Sequence, residues 1–370
     1  GTDPTTAAVV LEALGADAVG ANCSGGPAEL FLVLQEMAQV TNLPLVVQPN
    51  AGLPQLVDGC TVFKQTPASM ADWALKLREI GAWIIGGCCG TTPEHIRALS
   101  QVLRGQKVVF REKKAYSTLS SRSRTVMIND VSPLLFVGER INPTARKKLA
   151  ADIREGRMQM VLDEARSQVE VGAPILDVNM GVPGIDEPAA MRQAVLQIQG
   201  AVDVPLSIDS ANPEAVEAGL KAFAGKALIN SVNGEEKSLR AILPLARRYG
   251  AAVLGLTLDE QGIPATAEER LAIAQRIVQT AEAYGLARED IYIDCLVQTA
   301  SAQQSQVRET LRGVQLVKQA LGVRTMLGVS NVSHGLPARE ILNATFLTMA
   351  LGFGLDLPFL ILLTSACARL

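Results

Sequence analysis

The chain has 370 residues, 48% of them hydrophobic, 19% charged and 4% aromatic, with 31 Gly; this excludes a disordered or collagen-like chain and fits two domains, or one large α/β barrel with an additional piece. A formal net charge of -3 without any long Lys/Arg block speaks against a nucleic-acid or anionic-membrane surface and leaves small ligands as the expected partners. The most apolar stretch, 346–363, is broken by Asp356 and Pro358 and does not read as a membrane span, while six Cys, two of them adjacent, form no disulfide framework and point to a reducing cytoplasm.

Taken in chain order, the first strand candidates are DAVGANC (17–23), PLVVQPN (44–50) and WIIGGCCG (83–90), separated by segments of helical periodicity. Three βα units cannot close a barrel, so residues 1–105 read as the C-terminal part of a (β/α)₈ barrel whose earlier strands are expected upstream. Cys23 ends the first of these strands and Cys88 and Cys89 end the third, which brings three thiols to one barrel face. Zinc takes such thiolates and, with three protein ligands, keeps a fourth position open. A Cys-Cys pair alone fits two buried small hydrophobes equally well.

The phrases GANCSGGP (20–27) and GGCCGTTPEHI (86–96) together resemble the homocysteine-binding domain of the cobalamin-dependent methionine synthase family, shared with betaine-homocysteine and related S-methyltransferases. The resemblance implies that Cys23, Cys88 and Cys89 hold one Zn²⁺, and that homocysteine enters the open position as a thiolate, the nucleophilic form. His95, behind a Thr92 N-cap and Pro93, reads as a helix-surface residue. Cys60 and Cys295 read as buried and inert.

Residues 106–133 are polar, basic and Ser-rich and read as a linker. From 134 onward, eight short apolar runs alternate with helical segments: LLFVGER, ILDVNM, PLSIDS, ALINSVNG, AVLGLTLDE, IYIDCLV, TMLGVSN and PFLILL. This is the pattern of a closed (β/α)₈ TIM barrel over 134–370. Glu139, Asn142, Asp177, Asn179, Asp209, Asn230, Asn233, Asp259, Asp294 and Asn331 fall towards the C-terminal ends of these runs, the face on which such barrels build active sites. Any one of them also suits a helix cap.

VGERINPT, ILDVNM, PLSIDS, LINSVNGE and LGVSNVSHGLPARE follow in an order and spacing that resemble the pterin-binding domain of the same family. A more distant resemblance extends to dihydropteroate synthase and to methyltetrahydrofolate:corrinoid methyltransferases. The resemblance implies that Asp209, Asn230 and Asp294 contact the pterin edge, with Asn142 close by. It places Asn331 beside N5 of the folate as the candidate catalytic amide. Arg339 is a candidate for an acidic or carbonyl part of folate, or a helix-surface residue, while Asp177 and Asn179 read as organisers of the loops around the mouth.

The chain departs from the family pattern at Ala145, where Gly is usual, at His334, where an aromatic residue is usual, and in the tail FLILLTSACARL, which lacks a closing helix. Its two His lie in no D-x-H-x-x-G phrase, so cobalamin is expected from a domain or protein outside this chain. The expected activity is that of a 5-methyltetrahydrofolate-homocysteine S-methyltransferase: transfer of methyl from 5-methyltetrahydrofolate through a corrinoid to zinc-activated homocysteine, giving methionine and tetrahydrofolate. The alternatives are a stand-alone methyltetrahydrofolate:corrinoid methyltransferase and an inactive folate-binding fragment. Dihydropteroate synthase is disfavoured, since its late barrel lysine has no counterpart in RTMLGVSNVS.

Overall fold

The computed structural model describes residues 1–112, 116–130 and 134–361, so the tail TSACARL lies outside the described residues. The chain divides into two compact units, Gly1–Ala115 and Tyr116–Leu370.

In the first unit the elements are α1 (Pro4–Ala13), β1 (Val19–Asn22), α2 (Pro27–Met37), β2 (Leu45–Gln48), β3 (Pro54–Val57), β4 (Cys60–Phe63), α3 (Pro67–Glu79), β5 (Ala82–Ile85) and α4 (Pro93–Leu103). Each helix opens with Pro in its first turn, where the missing N–H has no partner to lose. Strands β1, β2 and β5 form a parallel sheet in that order. Its apolar residues Val19, Leu45, Val47 and Ala82 bury against Leu30, Leu34 and Met37 of α2, Ala8 of α1 and Leu77 of α3. The three- and four-residue spacing of the α2 residues is that of one helix face.

Two features differ from the sequence reading. Strands β3 and β4 form an antiparallel hairpin whose two-residue turn, Asp58-Gly59, has positive φ at both positions, as a type I′ turn requires. This exposes Cys60, which was expected to be buried. The supposed linker is also structured at both ends. The Arg111 guanidinium donates to the carbonyls of Gly81 (2.8 Å) and Leu43 (2.5 Å) in the first unit, while β6 (Ser117–Ser120) and β7 (Thr125–Ile128) form a hairpin in the second.

The second unit continues with β8 (Val137–Ile141), α5 (Lys147–Arg154), α6 (Gln159–Glu170), β9 (Ile175–Asn179), α7 (Glu187–Ala201), β10 (Leu206–Asp209), α8 (Pro213–Ala222), β11 (Leu228–Asn233), α9 (Glu236–Tyr249), β12 (Ala252–Leu256), α10 (Ala267–Ala283), β13 (Ile291–Asp294), α11 (Gln304–Leu321), β14 (Arg324–Gly328), α12 (Arg339–Gly352) and β15 (Leu357–Leu360). Strands β8 to β15 close an eight-stranded parallel barrel, with β15 pairing β8. Each expected strand is present within the described residues.

One core layer lies between strands and helices, through residues such as Ile208, Ile229, Ile293, Val216, Ile277 and Val314. A second fills the barrel floor, where Leu119 and Ile128 of the β6–β7 hairpin join Val137, Ile175, Leu228 and Tyr292. The hairpin is fixed there by Lys226, whose backbone exchanges two hydrogen bonds with Ser120 (3.0 Å each) and whose ammonium reaches Asp290 (2.5 Å). The floor is thereby sealed, and the polar strand ends gather at the opposite, C-terminal mouth. No helix among the described residues is long and apolar enough to cross a membrane.

Candidate functional sites

Three thiols meet in the first unit. Cys23 lies one residue past β1, with positive φ at both Cys23 and Ser24, so the chain turns sharply as it leaves the sheet. Cys88 and Cys89 follow β5, and the turn is released by Gly90 in the left-handed region. A Cβ at Gly90 would strike the Phe63 ring of β4 at 2.3 Å, so only glycine lets that ring cover the turn. The Sγ of Cys89 lies 3.7 Å from that of Cys23 and 4.0 Å from that of Cys88, and all three lie within 4.8 Å of one another. With Zn–S bonds near 2.3 Å, a tetrahedron has sulfur–sulfur edges of about 3.8 Å. The donor set and its spacing therefore fit zinc.

The segment after β2 frames both turns. The Cys23 amide donates to Gln48 O (2.9 Å), the Cys89 amide to Asn50 Oδ1 (3.1 Å) and the Ala51 amide to Cys89 O (2.8 Å). A backbone hydrogen bond at Ser24 and the neighbouring thiols of Cys89 and Cys88 lower the Cys23 pKa, whereas the thiols of Cys23 and Cys88 raise that of Cys89. Cys23 is thus the first of the pair to become a thiolate. His95, expected on the helix surface, is instead buried: it occupies the third position of α4 and accepts from the Thr92 amide at Nδ1 (3.2 Å).

At the mouth of the barrel, register places Asn179, Asp209 and Asn230 side by side on β9, β10 and β11. Asn179 Nδ2 donates to Asp209 Oδ2 (2.9 Å), while Asn230 Nδ2 (3.1 Å) and Ser207 Oγ (2.6 Å) donate to Asp177 Oδ1. Burial, then the nearby Asp209 charge, pushes the Asp177 carboxyl well up, whereas Asp209 rises through burial and is eased by Asn179. Both carboxyls are thus held above the ordinary carboxylate range, Asp177 the more strongly because it also faces the Asp209 charge. Asp294 is buried at the end of β13; its Oδ1 accepts from the Leu296 amide (2.6 Å), and burial pushes its pKa up to about 7. The next turn, with Leu296 at φ 58, is held by the fully buried Arg270, which donates to Cys295 O (2.7 Å) and Leu296 O (3.2 Å). Cys295 is buried, as expected.

Asn331 is exposed in a 3₁₀ turn, Val329–Ser333, that follows β14. A Cβ at Gly328 would meet its Nδ2 at 2.8 Å, so glycine permits the amide to lie against the strand end. Two neighbours tie this turn down. Ser330 Oγ donates to Glu139 Oε1 (2.6 Å), and Arg339 donates to Ser330 O (3.1 Å) and Ser333 Oγ (3.0 Å). Arg339 is thus engaged with the turn that carries Asn331. Asn142 accepts from the Thr144 amide (2.9 Å) and so caps its own turn; Ala145 beyond it has φ 58, which explains why glycine suits that position. The Glu139–Ser330 bond and the raised pKa of Asp177 are absent from the sequence reading of the site. Their only sequence signal is an acidic residue inside an apolar strand.

Comparison with known proteins agrees with this division. Residues 138–358 match the family model for pterin binding enzymes, and residues 1–103 match that for homocysteine S-methyltransferase. The chain is 33% identical over 370 residues to methionine synthase of Mycobacterium tuberculosis and 32% identical over 379 residues to that of Mycobacterium leprae, in each case covering 96% of this chain and 31% of the relative. The chain thus spans under a third of the length of these relatives. Dihydropteroate synthase from Xanthomonas albilineans shares the barrel fold, with a TM-score of 0.50 and 16% identity over 69% of this chain and 94% of that one. Matched by one family model over more than half its length, the chain belongs to the pterin binding enzymes.

Proposed function

We propose that the chain carries two substrate sites of a methionine synthase, a methyltransferase: a zinc-thiolate site for homocysteine in the first unit and a 5-methyltetrahydrofolate site at the barrel mouth. The observation that carries this reading is the sulfur triangle, spaced as a zinc tetrahedron within the segment matched by the homocysteine S-methyltransferase model. The reduced thiols that such a site needs favour the cytoplasm.

Zn²⁺ held by Cys23, Cys88 and Cys89 would supply an open fourth position that lowers the pKa of an incoming thiol. The chain prepares for this by holding the Cys23 turn and the Cys89 amide on one backbone segment, 48–51. On the barrel, a pterin offers a ring N–H beside an amino group, a paired donor face that one carboxylate accepts in bidentate fashion. Asp209 suits this role because it ends β10 level with Asn179 and Asn230 on the neighbouring strands. Asn230, whose amide NH₂ is spent on Asp177, keeps its carbonyl oxygen for a donor. Asp294 supplies a second carboxyl. Asn331 would donate to N5 as the methyl group departs, which stabilises the leaving nitrogen. The methyl carrier, a reduced corrinoid in this reading, would have to be supplied from outside these two units.

Calorimetric titration of the purified chain with 5-methyltetrahydrofolate, with zinc measured in the same sample, tests the reading. The expected result is one folate site, lost in Asp209→Ala, and a zinc content near one per chain. A folded chain that binds neither would refute it.

A further inference from the structure

We propose that His95 is a positioning residue for the three-thiol site, acting through the segment 50–65; this rests on the zinc reading above. The imidazole joins two backbones. The Thr92 amide can only donate, so Nδ1, 3.2 Å away, carries no hydrogen, and the hydrogen sits on Nε2, 2.9 Å from the carbonyl of Gln65. From there a chain of hydrogen bonds runs to the thiols: the Gln65 amide donates to Ala51 O (2.9 Å), and the Ala51 amide donates to Cys89 O (2.8 Å). Asn50, next along, is buried, accepts from the Cys89 amide (3.1 Å) and donates its own amide to Gly25 O (3.0 Å), two residues past Cys23.

The two cysteine turns therefore share one frame, and His95 fastens the far end of that frame to α4. Between the fixed points lies the β3–β4 hairpin, whose β3 residues are all exposed; Phe63 of β4 lies against Gly90 and the Gln65 side chain donates to Ser69 Oγ (2.6 Å), while His95 holds the Gln65 carbonyl. A helix cap alone needs only an acceptor at this position, the role usually filled by Glu or Gln. The buried Nε2–H and its bond to Gln65 are what the cap does not require. Outer groups that fix the groups around a metal commonly change its affinity on the order of 10- to 100-fold when removed.

Two substitutions separate the roles. In H95N the amide oxygen stands near the position of Nδ1 and preserves the cap, but nothing reaches Gln65; in H95Q the amide nitrogen stands near the position of Nε2 and preserves that bond. The full chain is loaded with Zn²⁺ against a competing chelator and, separately, with Co²⁺, whose absorption reports thiolate ligation and tetrahedral geometry. H95N is expected to bind zinc about tenfold more weakly and to show a weakened cobalt spectrum, with its thermal unfolding unchanged, while H95Q stays close to wild type. Wild-type zinc affinity and an unchanged cobalt spectrum in H95N would overturn the inference.

Capture of phenylarsine oxide by the metal-free chain, which requires two thiols held close together, tests the same spacing without zinc. Slower capture by H95N than by H95Q supports the positioning role even in a chain that fails to bind zinc, a failure that would refute the zinc reading alone. Equal capture rates in wild type, H95N and H95Q would count against His95.

Discussion

Asp294 lies at the end of β13 with its carboxyl buried and its pKa raised to about 7, chiefly by desolvation and partly relieved by the amides of Leu296 and Gly328. Because the folded value lies above the ordinary carboxylate value, the folded chain binds more protons here than the unfolded chain. The contribution to stability is full below about pH 4 and is lost as pH rises through about 7. Accepting the pterin donors favours the charged form, so folate affinity should move the other way. Between pH 8 and pH 6 the charged fraction falls about tenfold for a group titrating near 7, and calorimetric affinity for 5-methyltetrahydrofolate should fall with it, a dependence that Asp294→Asn should flatten. A pH-independent affinity in the unsubstituted chain would remove Asp294 from the pterin contacts. The strand-end position of Asp294 and of Asp209 was legible in the sequence because the barrel pattern fixes which end of each strand faces the mouth; Asn230 stands level with Asp209 although β11 runs three residues further. The burial of His95 was not: a Thr-Pro helix start looks the same whether its third residue faces water or a carbonyl thirty residues away.

At the level of elements, the βα alternation was readable because each strand is a short apolar run with a helical period on either side. The two hairpins were not read. Strands β3 and β4 carried a signal, Asp58-Gly59 between two extended runs, but their exposure deprives them of an apolar face. Strands β6 and β7 lie in a Ser- and Arg-rich stretch whose polar side chains are buried through partners distant in sequence, as Ser121 is by Asp203 (2.6 Å). A local window cannot see such partners. Leu119 and Ile128, with Val126 packed beside them, mark this hairpin as part of the core, and the first two are essentially fully buried in the barrel floor. Leu119→Ala should therefore destabilise the barrel by about 3 kcal/mol, as for other large-to-small core changes, in urea unfolding followed by circular dichroism. Folate affinity, set at the opposite end of the barrel, should change by less than about twofold, because residues far apart with no shared partner behave additively. A loss below about 0.5 kcal/mol, the scale of ordinary surface substitutions, would mean that the hairpin is a mere covering.

For the whole molecule, the two units contain chemically unlike sites: soft sulfur ligands in one, and a ring of carboxyl and amide groups in the other. None of the acids at the barrel mouth belongs to the three-thiol cluster, and the thiols lie in a separate compact unit. Each site carries its own phrases within its own run of βα units, and the boundary of the two compact units falls between residues 115 and 116, inside the stretch 106–133 read as a linker. Metal removal should therefore split the activity. After treatment with a chelator, methylation of homocysteine from added methylcobalamin should be lost and should return with Zn²⁺, since an uncoordinated thiol is mostly protonated at neutral pH. Demethylation of 5-methyltetrahydrofolate with added cob(I)alamin as acceptor should continue at an unchanged rate, because the carboxyl and amide groups proposed to bind the pterin need no metal. Parallel loss of both reactions would show that the folate site depends on the thiol site, contrary to the separate placement of their residues.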